Sequence, residues 1–407
     1  MTIHATPHTP HALLLESIHP DAETALRASG CAVTTLDRAL DEDELIERLD
    51  GVHVLGVRSK TNVTERVFEA TPDLLAVGAF CIGTNQIDLH AASARGVAAF
   101  NAPFSNTRSV VELALAEIIA LTRRLTEKDR AMHDGVWDKS AEGLHEVRGR
   151  RLGIVGYGNI GTQLSVLAEN LGMSVLFYDT ADRLALGMAR RAASLEELLE
   201  SVDVVTLHVD GRPDNNNFFG DAEFARMRPG SLFLNLSRGF VVDQESLRRR
   251  LESGHLAGAA LDVFPDEPKG RGDEFVSPLR GMPNVILTPH IGGSTEEAQQ
   301  DIGRFVAGKL ADYLTVGTTS LSVNLPGLAM ANRLGEHRLV HIHRNTPGVL
   351  AAINGIFAAE KVNIDAQHLG TRGDVGYVLT DVGADLAESV LDALAALPET
   401  TRLRVLS

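Results

Sequence analysis

The stretch "RLGIVGYGNIG" (151–161) restricts this chain more than any other. An apolar run ends in G-x-G-x-x-G, and residues 162–172 continue at helical period. Asp179 then closes the next apolar run, "SVLFYD" (174–179), 18 residues after Gly161. Strand, glycine turn, helix, strand and acid in that order make a βαβ unit, and such a unit demands a parallel sheet. Gly156 permits the tight turn, Gly158 lets a ligand approach the backbone, and Gly161 lets helix and strand pack closely. The start of the helix then offers free N–H groups to a diphosphate, so the motif reads as a dinucleotide site. A carboxylate at Asp179 accepts hydrogen bonds from a ribose 2′-hydroxyl and repels a 2′-phosphate, which points to NAD over NADP.

The same alternation of short apolar runs and helical patterns extends on both sides. Before the motif, "HALLLES" (11–17), "VHVLGVRS" (52–59), "LLAVGAF" (74–80) and "GVAAFNA" (96–102) read as strands, and 21–30 reads as a helix ending at Gly30. After it, 202–209, 231–237, 256–264 and 284–290 read as strands, and 294–314 as a helix. The spacing predicts one long helix over 107–133. Its first half, "VVELALAEIIAL", is apolar almost all round and so is expected to be buried on every side. Ser109 and Glu112 fit a capping box there, with Asn106 as a competing cap.

A passage without helical period, 318–328, leads to a linker near Gly335, and the tail then reads β (337–344), α (348–361), β (362–369), β (375–382), α (384–397), β (400–406). Val349, Leu350, Ile353, Ile356 and Phe357 form one apolar helix face. The pattern predicts a βαββαβ, ferredoxin-like domain of about 70 residues, large enough to fold alone.

Three segments end or follow strands of the nucleotide domain: "LNLSRGFVVD" (234–243), "ALDVFPDEP" (260–268) and "LTPHIGGST" (287–295). In parallel sheets ligands bind beyond the carboxyl ends of the strands, so Arg238, Glu267 and His290 can converge beside a nicotinamide. Arg238 would hold a carboxylate and carbonyl in its fork. His290 would exchange a proton with the substrate oxygen, and Glu267 would orient His290 and raise its pKa. Taken singly, Arg238 reads better as a surface cation, Glu267 as a loop carboxylate and His290 as a core histidine. Their common position beside the glycine motif favours hydride transfer on a 2-hydroxy or 2-keto acid.

These motifs, in this order and spacing, resemble the D-isomer-specific 2-hydroxyacid dehydrogenase family. Within it, "VRSKT" (57–61), "GTNQID" (83–88), "NAPFSNTRSVVEL" (101–113) and the tail resemble the subgroup that oxidises 3-phosphoglycerate to 3-phosphohydroxypyruvate at the start of L-serine synthesis. The resemblance implies a flavodoxin-like α/β substrate domain (1–106 and 296–330) into which a Rossmann-type NAD domain (107–295) is inserted, followed by an ACT domain (337–407). It implies that Arg238, Glu267 and His290 are catalytic. It places Asn159, Ile160, Asp179, Leu236, Ser237, Arg238, Asp262, His290, Ile291, Gly292 and Gly293 around NAD. It puts Arg58, Ser59, Asn106 and Lys139 toward the substrate, although Lys60 and Lys139 also read as solvated surface lysines. In "LHVDG" (207–211), Asp210 stands where many relatives have proline.

An ACT tail implies L-serine as effector, held by His343, Asn345 and the helix start after Pro347-Gly348, with Asn363 reaching across from a paired tail. Relatives that respond to serine often carry an acid where Arg344 stands and a Gly-Gly hinge where this chain has only Gly335. His341 and His343 share a strand face but lack a third metal ligand, so no metal is expected. A homo-oligomer follows, dimeric through the NAD domains and tetrameric through the tails. Alternatives are a reductase of an unphosphorylated acid such as 2-oxoglutarate or hydroxypyruvate, and a non-enzymatic NAD sensor of the corepressor kind.

Composition limits the remaining classes. A net charge of −16 disfavours a nucleic-acid binder, and no apolar stretch reaches the span of a membrane helix. Cys31 and Cys81 read as reduced thiols of a cytoplasmic protein. The first residues, with His4, His8 and His11, read as a floppy polar terminus and not as a metal site.

Overall fold

The computed structural model describes residues 4–5, 9–268, 272–330, 333–383 and 386–406. The chain divides into two compact units, 106–298 and the pair of segments 1–105 and 299–407.

The unit 106–298 is built on a parallel sheet. Its strand order is Val285–Leu287, Leu256–Leu261, Ser231–Asn235, Val204–Leu207, Arg151–Val155, Ser174–Tyr178, Arg190–Arg191. The central strands are buried on both faces, which is why they read as continuous apolar runs. Chain order reverses between Arg151–Val155 and Val204–Leu207. A ligand crevice opens at such a point in a Rossmann-type sheet.

The expected long helix is two helices, Thr107–Thr122 and Leu125–His133. The break falls at Arg124, which adopts a left-handed φ of 48° and pairs its guanidinium with Glu127. No Gly or Pro marks it, so the periodic pattern runs straight across. The capping box does not form either. Asn106 takes the cap position without a side-chain bond, Glu112 pairs with Arg108, and Ser109 bonds Thr295 at 2.7 Å.

The other unit holds two sheets. One is parallel, in the flavodoxin-like order Ala32–Thr35, His11–Leu14, Val54–Val57, Ala76–Ala79, Ala98–Asn101. Its edge strand Ala32–Thr35 buries only Val33, which hides it in the sequence. The second is the ferredoxin-like sheet of the tail, ordered Thr400–Leu406, His337–Arg344, Val375–Val382, Ile364–Arg372, with antiparallel neighbours and the helices Val349–Ala359 and Glu388–Ala395. His4–Ala5 adds a short parallel strand beside Thr400–Leu406, so this part of the terminus is not floppy; His8 lies outside the described residues.

The tail does not stand apart from the first sheet. Val340, Ile342, Tyr377, Leu379 and Leu406 share a core with Tyr313, Leu310, Phe100 and Ala76. Burying each such side chain contributes roughly 1.5–3 kcal/mol. Polar groups fix the contact. The last turn of the helix Glu296–Val316 leaves carbonyls that no helical N–H can reach. Arg404 donates to the Leu314 carbonyl (3.2 Å), Arg338 to that of Val316 (3.0 Å), and the Tyr377 hydroxyl to that of Gly317 (2.6 Å). Arg338 is also paired with Asp381, both fully buried, at 2.7 and 2.9 Å. Gly335 passes close to the Val382 backbone: a Cβ there would lie 2.2 Å from the Val382 carbonyl oxygen, so the approach needs glycine.

Candidate active site

The glycine turn is built as its spacing requires. Gly156 has φ 94°, and a Cβ on it would meet the His208 carbonyl oxygen at 2.4 Å. A Cβ on Gly161 would lie 2.3 Å from the Gly156 carbonyl oxygen, so this glycine sets the closeness of helix and strand. Gly158 faces open space and caps the helix Asn159–Asn170 with no side chain on its free N–H groups. An open glycine at a bare helix N-terminus fits a dinucleotide diphosphate. Asp179 stands at the end of the next strand. Its Oδ2 accepts the Tyr157 N–H and its Oδ1 the Ala181 N–H, both at 2.8 Å, and Arg183 approaches to 3.6 Å. The neighbouring loop at Asp210 is held by Arg212 (2.6 Å) and Asn215 (2.9 Å), which gives this position a fixed shape without proline.

Beyond the strand Ser231–Asn235, buried Asn235 shapes the turn that carries Arg238. Its Oδ1 accepts the Ser237 N–H and hydroxyl at 3.1 and 2.8 Å, and its Nδ2 donates to the Arg238 carbonyl at 3.0 Å. Leu236 and Ser237 are buried behind it. Arg238 remains half-buried, with Nη1 donating to the Ser237 carbonyl at 2.7 Å. Gly239 presses on the next loop: a Cβ there would fall 1.9 Å from the Phe264 carbonyl carbon.

That loop carries Glu267. Its Oε1 accepts the Phe264 N–H at 3.1 Å, and its Oε2 lies 2.8 Å from His290 Nδ1. His290 has a left-handed φ of 54°, uncommon for a residue with a side chain and a sign of a constrained site. Buried Asp262 holds the segment after it. Oδ1 accepts the Thr288 hydroxyl (2.7 Å) and the Ile291 N–H (2.8 Å), and Oδ2 accepts the Gly292 N–H (2.7 Å). Asp262 therefore positions the His290 loop, a role its place in the sequence does not show. Gly293 lies against Asn106, whose Oδ1 is buried without a partner.

The charges support proton exchange. The hydrogen bond that His290 donates to Glu267 raises the His290 pKa above its usual 6.5, outweighing burial; Glu267 and Asp262 charges add to it and Arg238 opposes it. Burial pushes the Glu267 carboxyl up, but the His290 hydrogen bond and charge, the Phe264 amide and Arg238 overcome this and leave it lowered. Glu117, on the helix Thr107–Thr122, is only 3% exposed with both carboxylate oxygens unpartnered. Burial, with Asp262 adding, pushes it up to about 8.

The structure thus joins Glu267 to His290 directly and Arg238 to both by charge. Arg58 and Ser59 belong to the other unit, on the loop after the strand Val54–Val57. Lys139 is exposed in the segment after the helix Leu125–His133, beside exposed Trp137. In the tail, the His343 ring is buried against Gly376; its Nδ1 bonds the Arg344 carbonyl at 2.8 Å and its Nε2 is unpartnered. Asn345 and Asn363 are exposed. Asn345 donates to the Gly373 carbonyl and Asn363 to Asp365, so the single chain does not bring Asn363 to the other two.

The sequence model of the D-isomer specific 2-hydroxyacid dehydrogenase NAD binding domain matches residues 115–292, and NAD is the cofactor of this domain. An AHAS small subunit-like ACT domain matches 339–402. The chain is 51% identical over 397 residues to the D-3-phosphoglycerate dehydrogenase of Haemophilus influenzae, covering 97% of this chain and 96% of that one. It is 51% identical to the protein of the same name from Escherichia coli (strain K12), covering 97% of each. Among solved structures it resembles D-2-hydroxyisocaproate dehydrogenase, with TM-score 0.70 and 26% identity over 77% of this chain and 99% of that one. The chain belongs to the D-isomer specific 2-hydroxyacid dehydrogenase family, in the branch whose relatives are D-3-phosphoglycerate dehydrogenases.

Proposed function

We propose that the chain oxidises D-3-phosphoglycerate to 3-phosphohydroxypyruvate, the first committed step of L-serine synthesis, and that L-serine inhibits it through the tail. The observation that carries the catalytic reading is the 2.8 Å pair of His290 and Glu267 beside Arg238, at the carboxyl ends of the sheet. Arg238 grips the substrate carboxylate and the C2 oxygen. His290, its Nδ1 held by Glu267, presents Nε2 to the C2 hydroxyl and removes that proton. NAD, held at the Gly156–Gly161 turn and Asp179, would supply the acceptor for the hydride from C2. The imidazolium that results is stabilised by the ionised Glu267. Arg58 and Ser59 meet the substrate's acidic end, with Asn106 and Lys139 as further contacts.

In this reading 1–106 with 296–330 binds substrate, 107–295 binds NAD, and 337–407 binds the effector. His343, Asn345 and the helix start at Val349 take L-serine, with Asn363 of a second copy closing on it. The active form is then a homo-oligomer, paired through NAD domains and through tails. None of the described helices is long and apolar enough to cross a membrane, in keeping with a cytoplasmic enzyme.

The test is NADH oxidation with 3-phosphohydroxypyruvate, compared with hydroxypyruvate and 2-oxoglutarate. The phosphorylated acid should give the highest kcat/KM; no turnover by folded protein sinks the assignment. L-serine, but not D-serine or glycine, should lower that rate. An unchanged rate with no heat of L-serine binding removes the effector role.

A further inference from the structure

The strand His11–Leu14 ends in an unusual turn. Glu16 and Ser17 both have positive φ, 63° and 53°, a region that residues with side chains avoid. Two strained residues in succession persist only where their surroundings hold them. Here the Leu15 N–H donates to the Gly56 carbonyl (2.9 Å), the Glu16 N–H to that of Arg38 (3.3 Å), and the Ser17 hydroxyl to that of Asp37 (3.1 Å).

The turn drives the Glu16 carboxylate, 8% exposed, under the loop 58–61. Its Oε1 accepts the backbone N–H groups of Arg58 (3.3 Å) and Thr61 (2.8 Å). Its Oε2 accepts those of Ser59 (3.1 Å) and Lys60 (3.0 Å). Four successive amides aimed at one place make an anion-binding concavity. This one is filled by the protein's own carboxylate. From the other side the Arg58 carbonyl accepts the Gln86 amide and the Cys81 thiol (3.6 Å). Thr61 is buried, and its hydroxyl oxygen takes the Leu40 N–H at 3.3 Å. The backbone is thus clamped on two sides. The side chains of Ser59 and Lys60 remain exposed and that of Arg58 half-buried.

We propose that Glu16 is a positioning residue for substrate recognition: an internal anion that fills the amide cradle, so that the substrate's acidic group is read by the side chains of Arg58 and Ser59 and not by the backbone. This rests on Arg58 being a substrate contact. Glu16 fixes the base from which the guanidinium reaches, and it shuts a competing anion site in the same loop.

The experiment measures kcat and KM for 3-phosphohydroxypyruvate and hydroxypyruvate, with NADH. It uses the native chain, Glu16→Gln, Glu16→Gly, Arg58→Ala and the double variant Glu16→Gln/Arg58→Ala. Glutamine turns an N–H toward donors, so Glu16→Gln should raise KM for the phosphorylated acid by about ten-fold, with kcat nearly kept and hydroxypyruvate less affected. The double variant should be no worse than Arg58→Ala, since both changes act through one guanidinium. Glycine suits the positive φ, and added formate should refill the cradle of Glu16→Gly and restore the low KM, which a merely structural residue would not allow. A KM within about two-fold of native in both Glu16 variants, while Arg58→Ala raises it, overturns the role. So does an equal loss of kcat and KM for both acids without formate rescue. If Arg58→Ala leaves the preference between the two acids unchanged, the reading of Arg58 fails and the role of Glu16 falls with it; the first two outcomes leave Arg58 standing.

Discussion

Glu267 Oε2 lies 2.8 Å from His290 Nδ1, while Oε1 of the same carboxylate takes the Phe264 N–H at 3.1 Å. The carboxylate is thereby fixed to its own loop before it meets the imidazole, and the ring can turn only one nitrogen to a substrate.

In the proposed mechanism this pair sets the pH dependence. Oxidation there needs a neutral His290, so its kcat/KM should fall as pH drops through a value above 6.5, and reduction should fall as pH rises through the same value. Glu267→Gln removes the largest cause of the raised pKa. The oxidation limb should move to lower pH, and kcat should drop by about a hundred-fold. Rate profiles in both directions check this, and an unmoved limb would show that another group titrates. His290→Gln should remove nearly all turnover while NADH, titrated by fluorescence, binds as before.

Asp179 holds the glycine turn, since the Tyr157 and Ala181 amides both rest on it, and in the proposed NAD site it also meets the ribose. Asp179→Ala should weaken NADH by about ten-fold or more. It also releases Arg183, 3.6 Å away, toward a 2′-phosphate. The preference for NADH over NADPH should therefore shrink, as the ratio of their KM values reports.

Glu117 gives a stability prediction. Its carboxyl keeps a proton in the folded chain up to about pH 8, against 4.5 when unperturbed. Between these values the folded state binds more protons than the unfolded one, so this group's contribution falls as pH rises and levels off above about 8. Glu117→Gln carries no such charge. Its melting temperature should gain on the native chain from pH 5 to 8, by on the order of 5 °C, followed by calorimetry.

Cutting the chain near Gly335 should not yield a free catalytic core. It strips Val340, Ile342, Tyr377, Leu379 and Leu406 from a core shared with Tyr313 and Phe100. The shortened protein should melt well below the full chain or aggregate. Effector tests therefore belong on full-length variants: Asn363→Ala should lose L-serine binding by calorimetry.

What was legible in the sequence follows from local periodicity and end-of-strand position. The glycine turn, the parallel sheet and the strand ends bearing Arg238 and His290 all leave marks within a few residues. Glu16 leaves none, since its four donors lie 42 to 45 residues away and a lone acid after "LLLES" looks like any turn. Glu117 did leave a signal. Two acids five apart, Glu112 and Glu117, point in different directions on a helix, so a helix with one packed face can turn one of them inward; the expected burial on every side does not hold, since Ile119 is 39% exposed and Glu112 lies in the open while Glu117 is buried. Arg338, Arg402 and Arg404 look like the solvent face of strands, yet all three are buried on carbonyls of other elements.

Those carbonyls bear on engineering. A helix end accepts donors without regard to which domain brings them, so the Leu314, Val316 and Gly317 oxygens form a socket. A ligand-binding domain grafted in place of the tail would need an arginine at each of two strand positions and a tyrosine at a third to seat in it. A graft chosen only for its ligand would leave the socket's oxygens bare and be tethered by its linker alone.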